Sequence, residues 1–410
     1  MIKKTVFTAY EALLITMLTI LQFCIVLDFA VMAPLGAQLM RELQISSREF
    51  SILVSSYAFS AGISGILLSG IADKFDRKKM LVVILIGFIV GTFLCGIAPD
   101  YHFLIVARIV AGFFGGVLSA ISFAIITDVF AFEVRGRVMS FVQMAFAGSQ
   151  VLGIPIGLYF ASTVGWHVPF YIIVGIAIIA LLIILKYIRP VNNHLNNSDN
   201  PGILKRFSSI LTNRNYLAAF ATTFFLATGG FLIMPFASPF LVNNIGINEI
   251  DLTLIFFVTG LATLVFSPIF GWMSDKYGKF NLFALGSTLA SVMIYLFTQL
   301  ETASLGYVIL INTILAVFVS SRIITSSALL TAIPAKEERG AFMNINSSIQ
   351  QLSGGVATYL GGMILIQNDA GGFENFDTLG WATIAAMALS IVLMFNIHHI
   401  VQKKMKRQTT

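Results

Sequence analysis

Long apolar runs follow one another along the whole chain and are separated by short polar segments. A helix of about 20 apolar residues crosses the roughly 30 Å hydrocarbon core of a bilayer, and each run reaches that length. A backbone surrounded by lipid must satisfy its own hydrogen bonds, so each run is predicted to be a helix. The pattern predicts about twelve spans, near residues 12–35, 49–72, 79–98, 102–129, 138–162, 168–188, 215–241, 250–273, 280–299, 304–332, 341–366 and 378–400.

The second half of the chain repeats the pattern of the first half. An offset of 202 residues aligns Asp73 with Asp275 and Lys74 with Lys276, each in a charged segment between two apolar runs. A repeat of this kind indicates a duplicated structural unit. The predicted fold class is therefore all-α integral membrane, with about twelve transmembrane helices in two pseudo-symmetric six-helix bundles. We expect the N-terminal bundle at 1–188, a cytoplasmic linker at 189–214 and the C-terminal bundle at 215–410.

Composition and charge place the protein in a bilayer. Apolar residues make up 57% of the chain and charged residues only 11%, whereas a soluble domain carries about 25% charge. Nearly all of the 25 lysines and arginines lie on one side of the predicted membrane, and Arg41 and Arg48 lie on the other. The positive-inside rule then predicts a multi-pass protein of the inner (cytoplasmic) membrane with both termini in the cytoplasm.

Metal, cofactor and nucleic-acid chemistry have little support in the sequence. Cys24 and Cys95 both lie in apolar runs, which argues against a disulfide framework and against a thiolate metal site. The five histidines lie near loops or span ends without an acidic cluster, so an enzyme is a weak interpretation. We expect no cofactor and no nucleic-acid partner. The expected partners are a small-molecule substrate, protons and the lipid bilayer, and the expected energy source is a proton gradient.

Asp28 is the one acid that the predicted spans place well inside the hydrocarbon. An intramembrane carboxylate costs about 2.5–3.5 kcal/mol on insertion scales and marks a functional site by default. Arg108 enters its span from the opposite side and reaches a similar depth, at 1.5 Å per residue. A pair between them would relieve both desolvation costs and could open when Asp28 gains a proton. The alternative is a static pair that only holds helices together.

Other polar side chains within the spans are candidates for the lining of a substrate cavity. Each of them has the alternative role of a hydrogen bond between helices, which is worth about 0.6 kcal/mol in membranes. For Arg322 the choice is between an anionic or polyhydroxylated substrate and a set of backbone carbonyls and water. The candidates are Gln22, Tyr57, Gln143, Gln150, Arg322, Asn346 and Gln350.

The charged loop after the second span resembles the Gly-x-x-x-Asp-x-x-Gly-Arg loop of the major facilitator superfamily. The second copy matches this pattern at Gly271, Asp275 and Gly278, with Lys279 at the Arg position. The first copy retains Asp73, Arg77 and Lys78, but Ser69 and Asp76 stand in place of the two glycines. The resemblance covers essentially the entire chain. It implies two rocking bundles with a substrate site between them near mid-membrane.

Three further segments carry the same resemblance. Residues 27–35 and 165–170 look like segments of the proton-coupled drug and sugar-efflux branch. Gly153, Pro155 and Gly157, after Gly148 in the fifth span, resemble the Gly/Pro helix-packing motif of antiporters. For the cytoplasmic side, the resemblance implies a gate in which an Asp caps a helix of the other half and an Arg–acid link holds one state. The residues concerned are Asp73, Arg77, Asp128 and Asp275, and the alternative is a basic loop that only follows the positive-inside rule.

These observations favour a secondary transporter that exports a small organic molecule, such as a drug or sugar, in exchange for protons. A uniporter or symporter of a nutrient has the same architecture and remains an alternative. A transporter-like membrane sensor is a further alternative, against which the absence of a soluble output domain argues. The family resemblance favours a monomer, and one fold serves many substrates, so the cargo stays open.

Overall fold

The computed structural model describes residues 7–69, 75–192, 210–335, 338–368 and 371–409. Helices dominate it, and the only strands in these ranges form one short hairpin. The first half contains α1 (Ala9–Ala30), α2 (Gly36–Glu42), α3 (Ser47–Ser69), α4 (Arg77–Gly96), α5 (Tyr101–Val129), α6 (Phe132–Gly148), a π-helical turn (Ser149–Gly153), α7 (Ile154–Thr163) and α8 (Val168–Tyr187).

The second half repeats this order of elements. It contains α9 (Arg214–Phe231), α10 (Met234–Asn243), α11 (Glu249–Tyr277), α12 (Lys279–Thr298), α13 (Leu305–Leu330) and α14 (Arg339–Ile364), then the hairpin strands β1 (Ile366–Gln367) and β2 (Phe373–Glu374), and finally α15 (Phe376–Thr409). Most of the predicted linker at 189–214 lies outside the described residues.

Eleven helical spans in the described ranges are long and apolar enough to cross a membrane. The remaining predicted span, near 341–366, is α14, which has 26 residues but is too polar to meet the same criterion. This helix packs against α3 of the first half and against α9 of its own half. Asn346, Ser348 and Ser353 of this helix are buried, whereas Asn344, Ser347 and Gln350 are exposed. The polarity of α14 fits its position between the two bundles.

Two different turns connect the helices in the two copies of the charged loop. Asp76 caps the N-terminus of α4, because its side chain accepts a hydrogen bond from the Lys79 N–H (3.0 Å). At the equivalent place in the second copy, Gly278 joins α11 to α12 with a φ of 96°, a conformation that favours glycine. The replacement of glycine by Asp76 thus exchanges a left-handed turn for a side-chain cap.

Small residues allow close helix contacts within the first bundle. A Cβ at Gly112 of α5 would lie 2.5 Å from the Tyr57 carbonyl oxygen of α3, so only glycine fits there. The predicted packing motif lies against α1: a Cβ at Gly153 would be 2.9 Å from Leu27, and one at Gly157 would be 3.5 Å from Val31. The motif's Pro155 lies in the first turn of α7, directly after the π-helical turn.

The two halves contact each other through α3 and α14, through α7 and α11, and through α2 and α10. We call the end of the bundles that carries Arg41 and Glu249 the Arg41 end, and the opposite end the Arg77 end. At the Arg41 end, the Ser47 hydroxyl donates to the Leu365 carbonyl (3.2 Å), and the Phe50 and Phe236 rings are 6.2 Å apart. The molecule is therefore closed at the Arg41 end.

Toward the Arg77 end, α6 and α11 expose large side chains. Near the middle of α11, Gly260 still approaches the Gln150 backbone of the first half. Beyond that contact, Val265 and Trp272 of α11 are 55% and 59% exposed, and Met144 of α6 is 61% exposed.

Candidate functional site

A fully buried ion pair between Asp28 and Arg108 lies at the break between α1 and α2. Arg108 of α5 donates from Nη1 to Asp28 Oδ2 (3.1 Å) and also to the Asp28 backbone carbonyl (3.2 Å). Both side chains have no exposed surface. Since the last carbonyls of a helix lack intrahelical partners, α1 ends where its own carbonyl can accept this bond. The structure thus brings together Asp28 and Arg108, which the sequence predicts to lie at similar depths in the membrane.

Aromatic rings enclose the Arg108 side of the pair. The Arg108 guanidinium carbon lies 4.3 Å from the centre of the Tyr57 ring, which is a favourable distance for a cation–π contact. The Tyr57 ring is 5.5 Å from Phe29, and Phe29 is 5.8 Å from Phe231 in the second half. Tyr57 was predicted to line the cavity; at 1% exposure it forms a wall of the charged pair instead.

Several polar atoms around the pair are buried without a hydrogen-bond partner among the described residues. They are Asp28 Oδ1, Tyr57 Oη, Thr92 Oγ1 and two of the Arg108 nitrogens, Nε and Nη2. Arg–carboxylate pairs are frequently bidentate, and each orphaned polar atom costs about 1–3 kcal/mol. The pair therefore uses only part of its bonding capacity in this state.

The glutamines of the predicted cavity fall into two groups. Gln143 of α6 and Gln350 of α14 are exposed, and Gln150, in the π-helical turn, is half-buried. Gln22 is only 9% exposed, and its side-chain oxygen accepts a hydrogen bond from Ser119 (3.2 Å) inside the first bundle. Gln143 and Gln350 are thus free to meet a ligand, whereas Gln22 links two helices.

Asn346 is likewise committed to packing. It is 7% exposed, and its side-chain oxygen accepts a short hydrogen bond from the Thr223 hydroxyl of α9 (2.6 Å). The bond joins α9 to α14 inside the second bundle. In this state the rotation of α14 turns Asn346 toward α9, and its place in the cavity lining stays a prediction.

Arg322 does not face the space between the two halves. It is 2% exposed and donates from Nε to Ser287 of α12 (3.0 Å) and from Nη2 to Ser390 of α15 (3.3 Å). Its described partners are serine hydroxyls on two neighbouring helices. In this state Arg322 is enclosed by α12 and α15 of its own half.

The predicted gate residues divide between the two halves at the Arg77 end. Arg77 donates from Nε to Asp128 (2.9 Å), a link within the first half. Asp275 is 76% exposed and pairs with Lys279 one helical turn away (3.1 Å), so among the described residues it caps no helix of the other half in this state. Asp73 lies outside the described residues.

The sequence interpretation missed an ion pair that joins the two halves at the Arg41 end. Arg41 donates from Nη1 and Nη2 to the two carboxylate oxygens of Glu249. This hydrogen bond raises the pKa of the Arg41 side chain above its ordinary value, so the guanidinium stays charged. A signal was present: Arg41 is one of two basic residues predicted on this side, where the loops are otherwise acidic.

A cavity of about 650 Å³ opens at the Arg41 end of the first bundle, away from these residues. Its lining includes Glu42, Trp166, His167 and Tyr171 and none of the predicted site residues. No group of three or more His, Cys, Asp or Glu residues in the described ranges could hold a metal ion.

Two pseudo-repeated helical bundles, with a charged pair buried inside the first, are the architecture of a membrane transport protein. The family model of the Major Facilitator Superfamily matches residues 18–227 and 219–409, and the chain belongs to that superfamily. The resemblance stated from the loop and span motifs is confirmed, as is the all-α membrane fold. The protein is a transporter and not an enzyme.

Several relatives match most or part of the chain. The chain is 24% identical over 388 residues to the uncharacterized MFS-type transporter YbcL of Bacillus subtilis (strain 168), covering 93% of this chain and 95% of that protein. It is 21% identical over 263 residues to a probable sugar efflux transporter of Helicobacter pylori (strain G27), covering 64% and 66%. Over 146 residues it is 33% identical to multidrug resistance protein 3 of Bacillus subtilis (strain 168), covering 36% and 28%.

Solved structures show the same fold. The crystal structure of a D-xylose–proton symporter superposes with a TM-score of 0.75 at 17% sequence identity, covering 94% of this chain and 97% of that one. At this identity the likeness shows the fold alone.

Proposed function

We propose that this transporter exports a small organic molecule in exchange for protons, with Asp28 as the group that carries the proton. The observation that supports the proposal is the Asp28–Arg108 pair, buried completely and joined by a single carboxylate oxygen. A charged pair that is under-bonded in one packing has a reason to rearrange when its charge changes. We assign Arg108 the role of the cation that senses the charge of Asp28.

Proton binding would change the balance of forces at this pair. Protonated Asp28 is neutral, so the attraction to Arg108 falls and the buried guanidinium loses its counter-ion. An unpaired buried charge is costly, which favours a second packing in which Arg108 reaches water or another acceptor. A proton thereby shifts the population of two bundle arrangements, and this is what coupled transport requires.

An aromatic connection could carry this change to the bundle interface. Tyr57 lies under Arg108, Phe29 follows Asp28 in the chain, and the Phe29 ring contacts Phe231 of the second half. A shift of Arg108 relative to Tyr57 would therefore alter the Phe29–Phe231 contact between the two bundles. The C-terminal half has Gly230 at the position equivalent to Asp28, so we place proton coupling in the N-terminal half alone.

The orientation completes the proposed cycle. With both termini in the cytoplasm, as the charge distribution predicts, the Arg41 end faces outward and its closure describes an inward-facing state. Proton release from Asp28 to the cytoplasm would then prepare this state for cargo. An inward proton provides about 2.3 kcal/mol per 100 mV of membrane potential, which is sufficient to concentrate cargo by alternating access.

For the cargo, we propose an uncharged molecule with both polar and apolar faces, such as a sugar or a drug. The exposed side chains of Gln143 and Gln350 offer donors and acceptors on opposite halves, and the Phe29–Phe231 contact offers aromatic surface. The Helicobacter relative is named a probable sugar efflux transporter and the Bacillus relative a multidrug resistance protein, and these names support the choice of the two classes. We further propose a monomer in the inner membrane that needs no cofactor.

The deciding experiment uses inverted membrane vesicles with an acidic lumen and a pH-sensitive dye. A panel of sugars, neutral drugs, lipophilic cations and organic acids is added to wild type, Asp28→Asn and Asp377→Asn. Asp377 is the matched control, an exposed acid in the first turn of α15. We expect one class to release luminal protons in wild type and Asp377→Asn but not in Asp28→Asn.

Three results would contradict the proposal. Cargo movement without any pH change, unaffected by Asp28→Asn, would identify a uniporter. Cargo and protons moving in the same direction would identify a symporter. If labelled ligand binds without net flux, the protein acts as a sensor.

A further inference from the structure

Arg322 is a buried cation whose described partners carry no negative charge. Arg108 pairs with Asp28, and Arg77 pairs with Asp128, whereas the hydrogen bonds of Arg322 in the described ranges go to the hydroxyls of Ser287 and Ser390. The acids of the second half that the structure describes lie at helix ends or in connecting segments. A charge in this position ordinarily pairs with another group or marks an ion or substrate pathway.

The position of Arg322 within its helix makes the lack of a negatively charged partner more costly. Arg322 lies 17 residues after Leu305 and eight residues before Leu330, or about 26 Å and 12 Å from the two ends of α13. Its side chain is enclosed by α12 and α15, and the Phe283 ring centre lies 5.9 Å from the guanidinium carbon. That contact is at the far limit of a cation–π interaction and does not replace a counter-ion.

The groups around Arg322 supply hydrogen-bond donors in excess of acceptors. Its third nitrogen, Nη1, has no hydrogen-bond acceptor within the described part of the chain. Ser287 accepts from Arg322, which leaves its own O–H free to donate. The Ser321 hydroxyl is fully buried and has no described partner, and it lies beside the backbone of Gly286, next to Ser287. Positive charge combined with spare N–H and O–H donors is the chemistry that binds an anion.

We infer that Arg322, Ser287, Ser321 and Ser390 form a binding site for a small monovalent anion inside the second bundle. The anion accepts from Arg322 Nη1 and from the Ser287 and Ser321 hydroxyls, and it compensates the guanidinium charge where α12, α13 and α15 meet. This site is separate from the Asp28–Arg108 pair, which lies in the first half. It does not depend on the direction of transport or on the cargo.

The test measures the thermal unfolding of the full-length protein, purified in detergent, at constant ionic strength. Sodium chloride is titrated against sodium gluconate, whose anion is too large for the site, and bromide replaces chloride in a second series. We expect a saturable rise in Tm with chloride and bromide in wild type. Arg322→Gln should lose that rise. Ser287→Ala should retain it with an affinity weakened by roughly tenfold, the equivalent of one lost hydrogen bond to a charged group.

Two control variants make the result specific. Arg48→Gln removes an exposed arginine from the other half. Ser291→Ala removes a hydroxyl that donates to the Ser287 backbone carbonyl and to the Met387 sulfur but leaves the Ser287 hydroxyl and Arg322 in place. Both should respond to chloride as wild type does. If Arg322→Gln does not fold, the comparison of Ser287→Ala with Ser291→Ala in chloride and bromide still decides the matter.

Three outcomes overturn the inference. The first is the absence of any halide-dependent shift in wild type. The second is an equal shift in Arg322→Gln, which would reflect a general salt effect. The third is stabilisation by phosphatidylglycerol vesicles in gluconate, dependent on Arg322, with no response to halide, which would show that a lipid headgroup and not a free anion supplies the charge.

Discussion

Arg41 in the first half and Glu249 in the second half form an ion pair across the two bundles, with two guanidinium nitrogens directed at the two carboxylate oxygens. The pair lies at the closed Arg41 end, where the Phe50–Phe236 contact and the Ser47–Leu365 hydrogen bond also join the two halves. Opening of this end must separate the pair. It therefore contributes to the stability of one arrangement of the bundles and to no other.

The first prediction concerns the strength of that contribution. The Arg41 side chain is 58% exposed and that of Glu249 is 23% exposed, so solvent screens the pair and its worth is about 0.2–1 kcal/mol. Glu249→Gln should raise the population open at the Arg41 end by roughly 1.5- to 5-fold. The alkylation rate of a cysteine introduced at Ser162, which lines the same closed interface as Glu249, measures this population.

Charge reversal gives the matched test. Arg41→Glu combined with Glu249→Arg should return the alkylation rate to that of the parent, and Arg48→Gln should leave it unchanged. An unchanged rate in both single variants would mean that the pair has no role in closure.

The second prediction separates the ring of Tyr57 from its hydroxyl. The ring lies under Arg108, whereas the hydroxyl is buried without a described partner. Tyr57→Phe should keep proton-coupled transport within about twofold of wild type, because the cation–π contact survives. Tyr57→Leu should lose roughly 5- to 30-fold in the rate of coupled transport, since a buried cation–π contact is worth about 1–2 kcal/mol. Equal loss in both variants would show that the hydroxyl matters and the ring does not.

The third prediction concerns glycine in α5. A Cβ at Gly116 would overlap the Ala61 carbonyl oxygen and lie 2.8 Å from Ala61 Cα, and backbone atoms cannot move aside cheaply. Gly116→Ala should lower the free energy of unfolding by about 1–3 kcal/mol through overpacking. Gly175→Ala in α8 meets nothing within 4 Å and should be neutral or raise stability by up to about 1 kcal/mol, because alanine favours helix. Thermal unfolding in detergent compares the two, and equal Tm values would refute the close contact.

The fourth prediction distinguishes packing residues from cavity residues on α14. Asn346→Ala should lower the Tm, because the Thr223 hydroxyl loses its buried acceptor. Gln350→Ala should leave the Tm unchanged, since the side chain is exposed, but should raise the KM for cargo. Tm and KM are measured for both variants, so that a packing residue and a cavity residue are distinguished by which of the two values changes. A change in KM from Asn346→Ala with no change in Tm would place Asn346 in the cavity after all.

Part of the site could be predicted from the sequence, because the depth of a residue in the membrane follows from the number of residues between it and the end of its own helix. Asp28 and Arg108 were paired from their distances to the ends of their own spans, and their side chains are 3.1 Å apart in the structure. The same counting identified α14 as a helix, although its polarity sets it apart from the other eleven spans. The polarity has meaning only once α3 is seen packed against it.

By itself, the sequence determined the long helices, their order, the duplication and the place of Asp28 within its span, because hydropathy, repeat offset and depth can all be counted along the chain. Only the tertiary structure decided that Arg322 points to Ser287 and Ser390, that Asn346 bonds Thr223, and that Arg41 meets Glu249. The physical reason is that side-chain direction depends on how far each helix is rotated about its axis. Packing between distant segments sets that rotation, and no local pattern encodes it.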